Sequence, residues 1–226
     1  MKKSWWKILS FVLILYSVIW GFLGDVPRLP ILNETIRNLY FHVAMWFAML
    51  GMMTASLVYS IKYLKSSSSA HDLAARIFAE TGLVFATLGL LTGMVWANFT
   101  WGAPWTNDPK LNGTAITMLV YFAYLILRGS LDDPEKRGRL SGVYNIFAYV
   151  LMIVFIGILP RLTDSLHPGN GGNPGFNSYD MDSRLRMVFY PAVLGWILFG
   201  FWVTRLRLRL NALRTKPVDE LFENLQ

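Results

Sequence analysis

Six apolar runs, each long enough to cross a lipid bilayer and each bounded by charged or turn-forming residues, constrain this chain more than any other feature. About 20 apolar residues in helical conformation span the hydrocarbon layer, and inside it the span itself must satisfy every backbone N–H and C=O. The runs fall at about 6–23, 39–61, 77–97, 111–127, 141–159 and 187–204. They predict an all-α fold: a polytopic integral membrane protein with six transmembrane helices, one membrane domain covering residues 1–226. With 54% hydrophobic and only 15% charged residues in 226, little chain is left for a water-soluble domain. Lys2 and Lys3 ahead of an apolar run resemble a signal peptide, yet Asp25, Pro27 and Pro30 stand where a small-residue cleavage site would be, so the first run is expected to be a retained span.

The basic residues predict orientation. Fifteen of the 21 Lys and Arg residues lie in the N-terminal seven residues, follow the last run, or lie in the 62–76 and 128–139 connections. The other six are Arg28, Arg37, Lys110, Arg161, Arg184 and Arg186. Basic connections stay in the cytoplasm, so both termini are expected inside. The net charge of +7 is then a topology signal rather than a nucleic-acid footprint, and the lipid bilayer is the expected surrounding. The Gly24–Asn38 connection, a tryptophan-rich loop at 98–110 and a glycine-rich connection at 160–186, expected to be irregular, would all face outward.

The most unusual stretch is Thr92 to Asn112, TGMVWANFTWGAPWTNDPKLN. Gly102 and Pro104 interrupt the helical pattern, and Asp108, Pro109 and Lys110 close the loop. Trp96, Trp101 and Trp105 there could be an interfacial belt, which any membrane protein shows. They could instead form a shelf for a large flat aromatic ligand. A belt requires no glycine between its tryptophans and no acid after them, which favours the shelf.

The chain has three histidines. His42 lies about 20 residues before Lys62, roughly 30 Å along a helix, and so near the outer end of the second span. His167 is in the third outer connection, and His71 is expected as a solvated loop residue beside the inner run of four serines, itself read as a flexible connector. Two outer imidazoles flanking an indole-rich loop suit the axial positions of a porphyrin iron. The plainer reading of either is a hydrogen-bonded interfacial residue. No third or fourth ligand for zinc accompanies them. Arg37, Lys110, Arg161, Arg184 and Arg186 are the outer cations that could meet haem propionates, or simply residues that short loops tolerate.

Cysteine is absent, so thiolate metal sites and thiol redox chemistry are excluded. No phosphate-binding glycine loop occurs, so any use of ATP belongs to another chain. A cytochrome b would need paired mid-span histidines, which spans three to six lack. A small-solute transporter or a structural subunit of a membrane assembly complex remains the alternative; Glu80 is the one in-span carboxylate that a transport path could use or that could serve as a structural hydrogen-bonding group.

These pieces resemble the CcmC family, haem-handling membrane proteins of cytochrome c maturation. The family's W-G-x-x-W-x-W-D signature is matched by Trp101, Gly102, Trp105 and Asp108, with Asn107 in place of the third tryptophan. Its T-G-x-x-W is Thr92, Gly93 and Trp96; its D-A-R-L-T appears as Asp108, Pro109, Lys110, Leu111 and Asn112. Its R-x-x-Y-x-H-V-P is Arg37, Tyr40, His42 and Val43, with Ala44 for proline, and its L-H pair is Leu166 and His167. The stretch PGNGGNPG after His167 looks longer than the family's.

The resemblance implies a non-enzymatic protein of the bacterial inner (cytoplasmic) membrane with its functional loops on the periplasmic side. Haem b would be a transient cargo, collected at the outer leaflet and presented to the chaperone CcmE on its way to apocytochrome c. His42 and His167 would be the axial ligands to iron. Trp96, Trp101, Trp105 and Asp108 would form the platform and the chaperone contact. An ABC-type ATPase complex of CcmA and CcmB, and CcmD, are the further partners it implies.

Overall fold

The computed structural model describes residues 4–167 and 181–214. Among the described residues six helices are long and apolar enough to cross a membrane: α1 (Trp5–Leu23), α2 (Asn33–Ser66), α3 (Ser69–Trp101), α4 (Pro109–Gly129), α5 (Pro134–Leu162) and α6 (Ser183–Arg214). No strand occurs among the described residues. Several helices overrun their apolar runs, α3 most clearly: at 33 residues it extends roughly 50 Å, because a helix satisfies its own backbone past the hydrocarbon boundary as well as within it. The stretch PGNGGNPG lies outside the described residues.

Local sequence sets the helix ends. Asp108 and Asp133 each precede a proline at the first helical position, and each carboxylate accepts two backbone N–H bonds, from Lys110 and Leu111 and from Glu135 and Lys136 respectively. Gly102 ends α3 in the left-handed region, φ 79°, where a side chain would be strained. Trp96 and Trp101 are therefore helical, and the tryptophan loop proper begins at Gly102. The serine run is not a flexible connector. Ser66 closes α2, Ser69 opens α3, and His71 lies in the first turn of α3 with its Nδ1 2.9 Å from the Ser66 hydroxyl.

α2 is not uniform. A 3-10 segment at Asn33–Asn38 passes into a π turn at Leu39–Val43 and only then into α-helix. A second π turn, Ile153–Ile158, interrupts α5 near the same end of the bundle. There the Phe155 carbonyl oxygen lies 2.4 Å from where a Cβ on Gly113 would stand, so the contact of α4 with α5 requires glycine.

Between helices in lipid, association depends on close packing and polar contacts rather than on burial from water. Met45, Met49, Met52 and Met53 of α2 fill the centre against Phe78 and Phe85 of α3. Ser56 donates to the Ala75 carbonyl at 2.7 Å, and the Asn145 amide donates to both Ser56 and Ser60. α1 is held to α6 by the bond from Ser10 to the Gly195 carbonyl. At the end away from the histidines, Arg128 grips Asp72 through two bonds of 2.7 and 2.6 Å. Arg207, expected in a basic tail, lies inside α6 and pairs with Glu80 while donating to Thr81. Glu80 is thus a structural ion-pair partner.

Candidate functional site

The two outer histidines arise differently. The π turn Leu39–Val43 presents His42 to α3, where Gly93 leaves the space: a Cβ there would stand 2.5 Å from His42 Cε1. π turns recur at functional sites because they redirect a side chain without breaking the helix. The ring is 9% exposed and stands edge-on to Trp96 and Trp46, at centroid distances of 5.8 and 6.1 Å. Its Nδ1 is 2.8 Å from the Gly89 carbonyl. A carbonyl only accepts, so Nδ1 carries the proton and Nε2 keeps its lone pair. The Asn38 amide bonds the Thr92 carbonyl at 2.9 Å and ties the start of the π turn to α3.

His167 is held by Asp108. The Asp108 carboxylate is 2% exposed and collects five donors. Oδ1 accepts from the Lys110 and Leu111 amides, at 2.9 and 3.2 Å, and from His167 Nδ1 at 3.0 Å. Oδ2 accepts from the Ser165 hydroxyl at 2.8 Å and the Leu166 amide at 2.7 Å. Burial pushes this carboxyl up, but the bonds from His167, Ser165 and the Leu166 amide overcome burial and hold it well below its ordinary value. An ionised carboxylate accepts only, so His167 also carries a proton on Nδ1, and Nε2 is the nitrogen that the carboxylate does not engage. Trp101, the last residue of α3, packs edge-on against this ring at 4.9 Å.

Both imidazoles therefore share one arrangement, with Nδ1–H committed to an oxygen and Nε2 the nitrogen left for a ligand, as in metal-bound histidines. Among the described residues neither Nε2 has a hydrogen-bond partner. This donor set fits a porphyrin iron, whose axial positions need two neutral nitrogens. Among the described residues no group of three or more His, Cys, Asp or Glu gathers to hold a metal ion by itself.

The tryptophans do not stack as one shelf. Trp96 serves His42, Trp101 serves His167, and Trp105, 39% exposed, is the indole left open at the surface. Asp108 is occupied within the chain. Arg37 is also committed, its Nη1 to the Gly21 and Gly24 carbonyls and its Nε to Glu34. Lys110 has Asp108 and Arg161 as charged neighbours, Arg184 pairs with Asp182, and Arg186 Nε is buried with no hydrogen-bond partner among the described residues. Sequence reasoning missed Ser165, Asn38 and the Gly89 carbonyl. None carries a local signal, since each acts through a residue of another helix or loop.

A family model described as heme exporter protein C matches residues 2–221. The heme exporter protein C of Rhodobacter capsulatus is 26% identical over 222 residues, covering 95% of this chain and 89% of that protein. Its counterpart from Paracoccus denitrificans is 27% identical over 203 residues, covering 88% and 80%. A cytochrome c biogenesis protein CcsA from Prochlorococcus marinus is 42% identical over a shorter 77 residues, 34% of this chain and 24% of that protein.

Proposed function

The chain belongs to the heme exporter protein C family, and we propose that it holds haem between His42 and His167 at the outer face of the membrane and hands it to a haem chaperone. Haem handling for cytochrome c maturation is the role its family membership carries, as a membrane protein and not an enzyme. The observation that carries the finer reading is the matched state of the two rings, each with Nδ1–H bonded to an oxygen acceptor.

The two holds differ in firmness. His42 is set in the packed body of α2 and α3, whereas His167 sits on a short segment clamped by a single carboxylate. A carrier that must release its cargo gains from one fixed and one displaceable ligand, because ligands lost one at a time give the receiver a way in. On this reading His167 leaves first, and the exposed Trp105 stands where the CcmE chaperone would dock. Haem b, the periplasmic orientation in a bacterial inner membrane, and cooperation with CcmA, CcmB and CcmD belong to the same proposal, supported by the family resemblance and the distribution of basic residues. Glu80, the one in-span carboxylate, is paired with Arg207, and Arg128 with Asp72, so none of them favours a solute path.

The test is the absorbance of the purified protein after incubation with haem. A Soret band that falls in both His42→Ala and His167→Ala supports the reading; a band unchanged in both would place the haem elsewhere.

A further inference from the structure

A groove of about 670 Å³ opens beside the His42 site, between the outer half of α3 and the end of α1. Phe22, Phe41, Met45, Leu88, Val95 and Phe99 give it apolar walls. Val95 and Phe99 are 60% and 69% exposed on a helix that crosses the bilayer, so the mouth faces acyl chains rather than water. Its outer rim is polar, with Glu34, Thr35, Arg37 and Asn38. Arg37 spends Nε and Nη1 on the chain and keeps Nη2 without a partner among the described residues. Trp96 belongs both to this groove and to the His42 site: it lines the groove, its ring edge meets His42, and its Nε1–H is latched to the Thr35 hydroxyl at 3.1 Å.

We propose that the groove is a lateral port through which haem passes from the outer leaflet to His42, with Trp96 as the door between them. The proposal rests on the haem-binding reading above. Its argument is the match of amphipathicity. Haem is an apolar macrocycle with two carboxylates on one edge, and the groove is apolar along its walls with a guanidinium at one end. A bare hydrocarbon chain would match the walls but not the rim, and a soluble anion the rim but not the walls; a phospholipid matches both, yet has no group for the imidazole behind Trp96, whereas haem brings its iron there and a carboxylate to Arg37 Nη2. Release of one hydrogen bond, from Trp96 to Thr35, would free the indole to turn and expose the His42 ring to the groove.

The experiment loads the full-length protein in nanodiscs with haem supplied by haem-doped phospholipid vesicles, and follows the growth of the Soret band. Leu88→Trp and Val95→Trp fill the groove from positions that face lipid; Val143→Trp, on the lipid-facing side of α5, is the control. Both groove variants should load about tenfold more slowly, with the final band unchanged in position and height, while the control loads like the unaltered protein. Thr35→Val, which removes the latch, should load faster. Equal rates in the groove variants and the control would overturn the port. So would a lower final band in the groove variants, which would make the groove a resting site instead of a passage. Absence of any band in the unaltered protein would overturn the haem-binding reading itself, a distinct result from either.

Discussion

Asp108 and His167, 59 residues apart in the chain, meet through a 3.0 Å hydrogen bond whose carboxylate also caps α4 and fastens Ser165 and Leu166. One side chain thus ties the tryptophan loop, the start of α4 and the segment that bears a candidate iron ligand. Asp108→Asn keeps the shape but offers one acceptor oxygen where five donors converge. Haem affinity should fall about 10- to 100-fold, as when the second partner of a ligating histidine is lost. Helical content should stay unchanged. A Soret titration alongside far-ultraviolet circular dichroism checks both; equal affinity in the variant would separate Asp108 from the haem site.

The same carboxylate sets a pH dependence. Its folded value is depressed below the ordinary 3.8, so its contribution is present in full above that pH and is lost as the pH falls from there through the folded value. Hydrogen-exchange protection at Leu166 should be flat from about pH 7 to about pH 5 and decline only in stronger acid. In Asp108→Asn the protection should be low throughout and free of that acid step. A step in the native protein near neutral pH would assign the clamp to some other group.

Gly93 gives the complementary test at the buried ligand. A methyl group there would stand 2.5 Å from His42 Cε1, closer than carbon atoms approach, so in Gly93→Ala the ring must leave its place. Overpacking of this kind costs about 1–3 kcal/mol, which thermal unfolding in detergent would read. The haem-bound spectrum should change towards a single axial histidine, and added imidazole should restore it. A variant that is destabilised but keeps its two-histidine spectrum would show His42 to be a packing residue only.

What the sequence makes legible here follows from what each residue needs nearby. The six spans are legible because the bilayer demands long uninterrupted apolar runs, and the Asp-Pro starts of α4 and α5 because a cap lies within three residues of the groups it serves. The serine run misleads: intrinsic flexibility is overridden when α2 and α3 pack along their whole length and leave two residues for the turn. Grouping Trp96 with Trp105 in one loop fails because the helix continues to Gly102, and indoles five residues apart on a helix point to different neighbours. The π turn that aims His42 has no local signal, since its register answers to the space at Gly93 and the bond from Asn38 to Thr92 in another helix.

Two of the ion pairs at the opposite end, Arg128–Asp72 and Arg207–Glu80, should differ in weight. Arg128 and Asp72 side chains are 7% and 16% exposed and doubly bonded, so Arg128→Ala leaves a nearly buried carboxylate unpaired, at a cost of about 3 kcal/mol. Arg207 and Glu80 are 39% and 25% exposed, and solvent screens them, so Glu80→Gln should cost about 1 kcal/mol or less. Thermal unfolding of the two variants gives the order. Neither should change haem binding, because both pairs stand at the end away from the histidines.

The last prediction concerns which way the bundle faces. The connection that holds Trp105 and Asp108 has Lys110 as its cation, whereas the Arg128–Arg139 stretch at the other end holds Arg128, Lys136, Arg137 and Arg139. Translocation disfavours the second and permits the first. Alkaline phosphatase, which folds only after export, should therefore be active when fused after Ala103 and inactive when fused after Asp132. Since helix alternation carries His42, Trp101 and His167 to one end, a single reversed result moves the whole candidate site with it. Activity after Asp132 and none after Ala103 would put both imidazoles on the cytoplasmic side, where a handover to a periplasmic chaperone is geometrically closed.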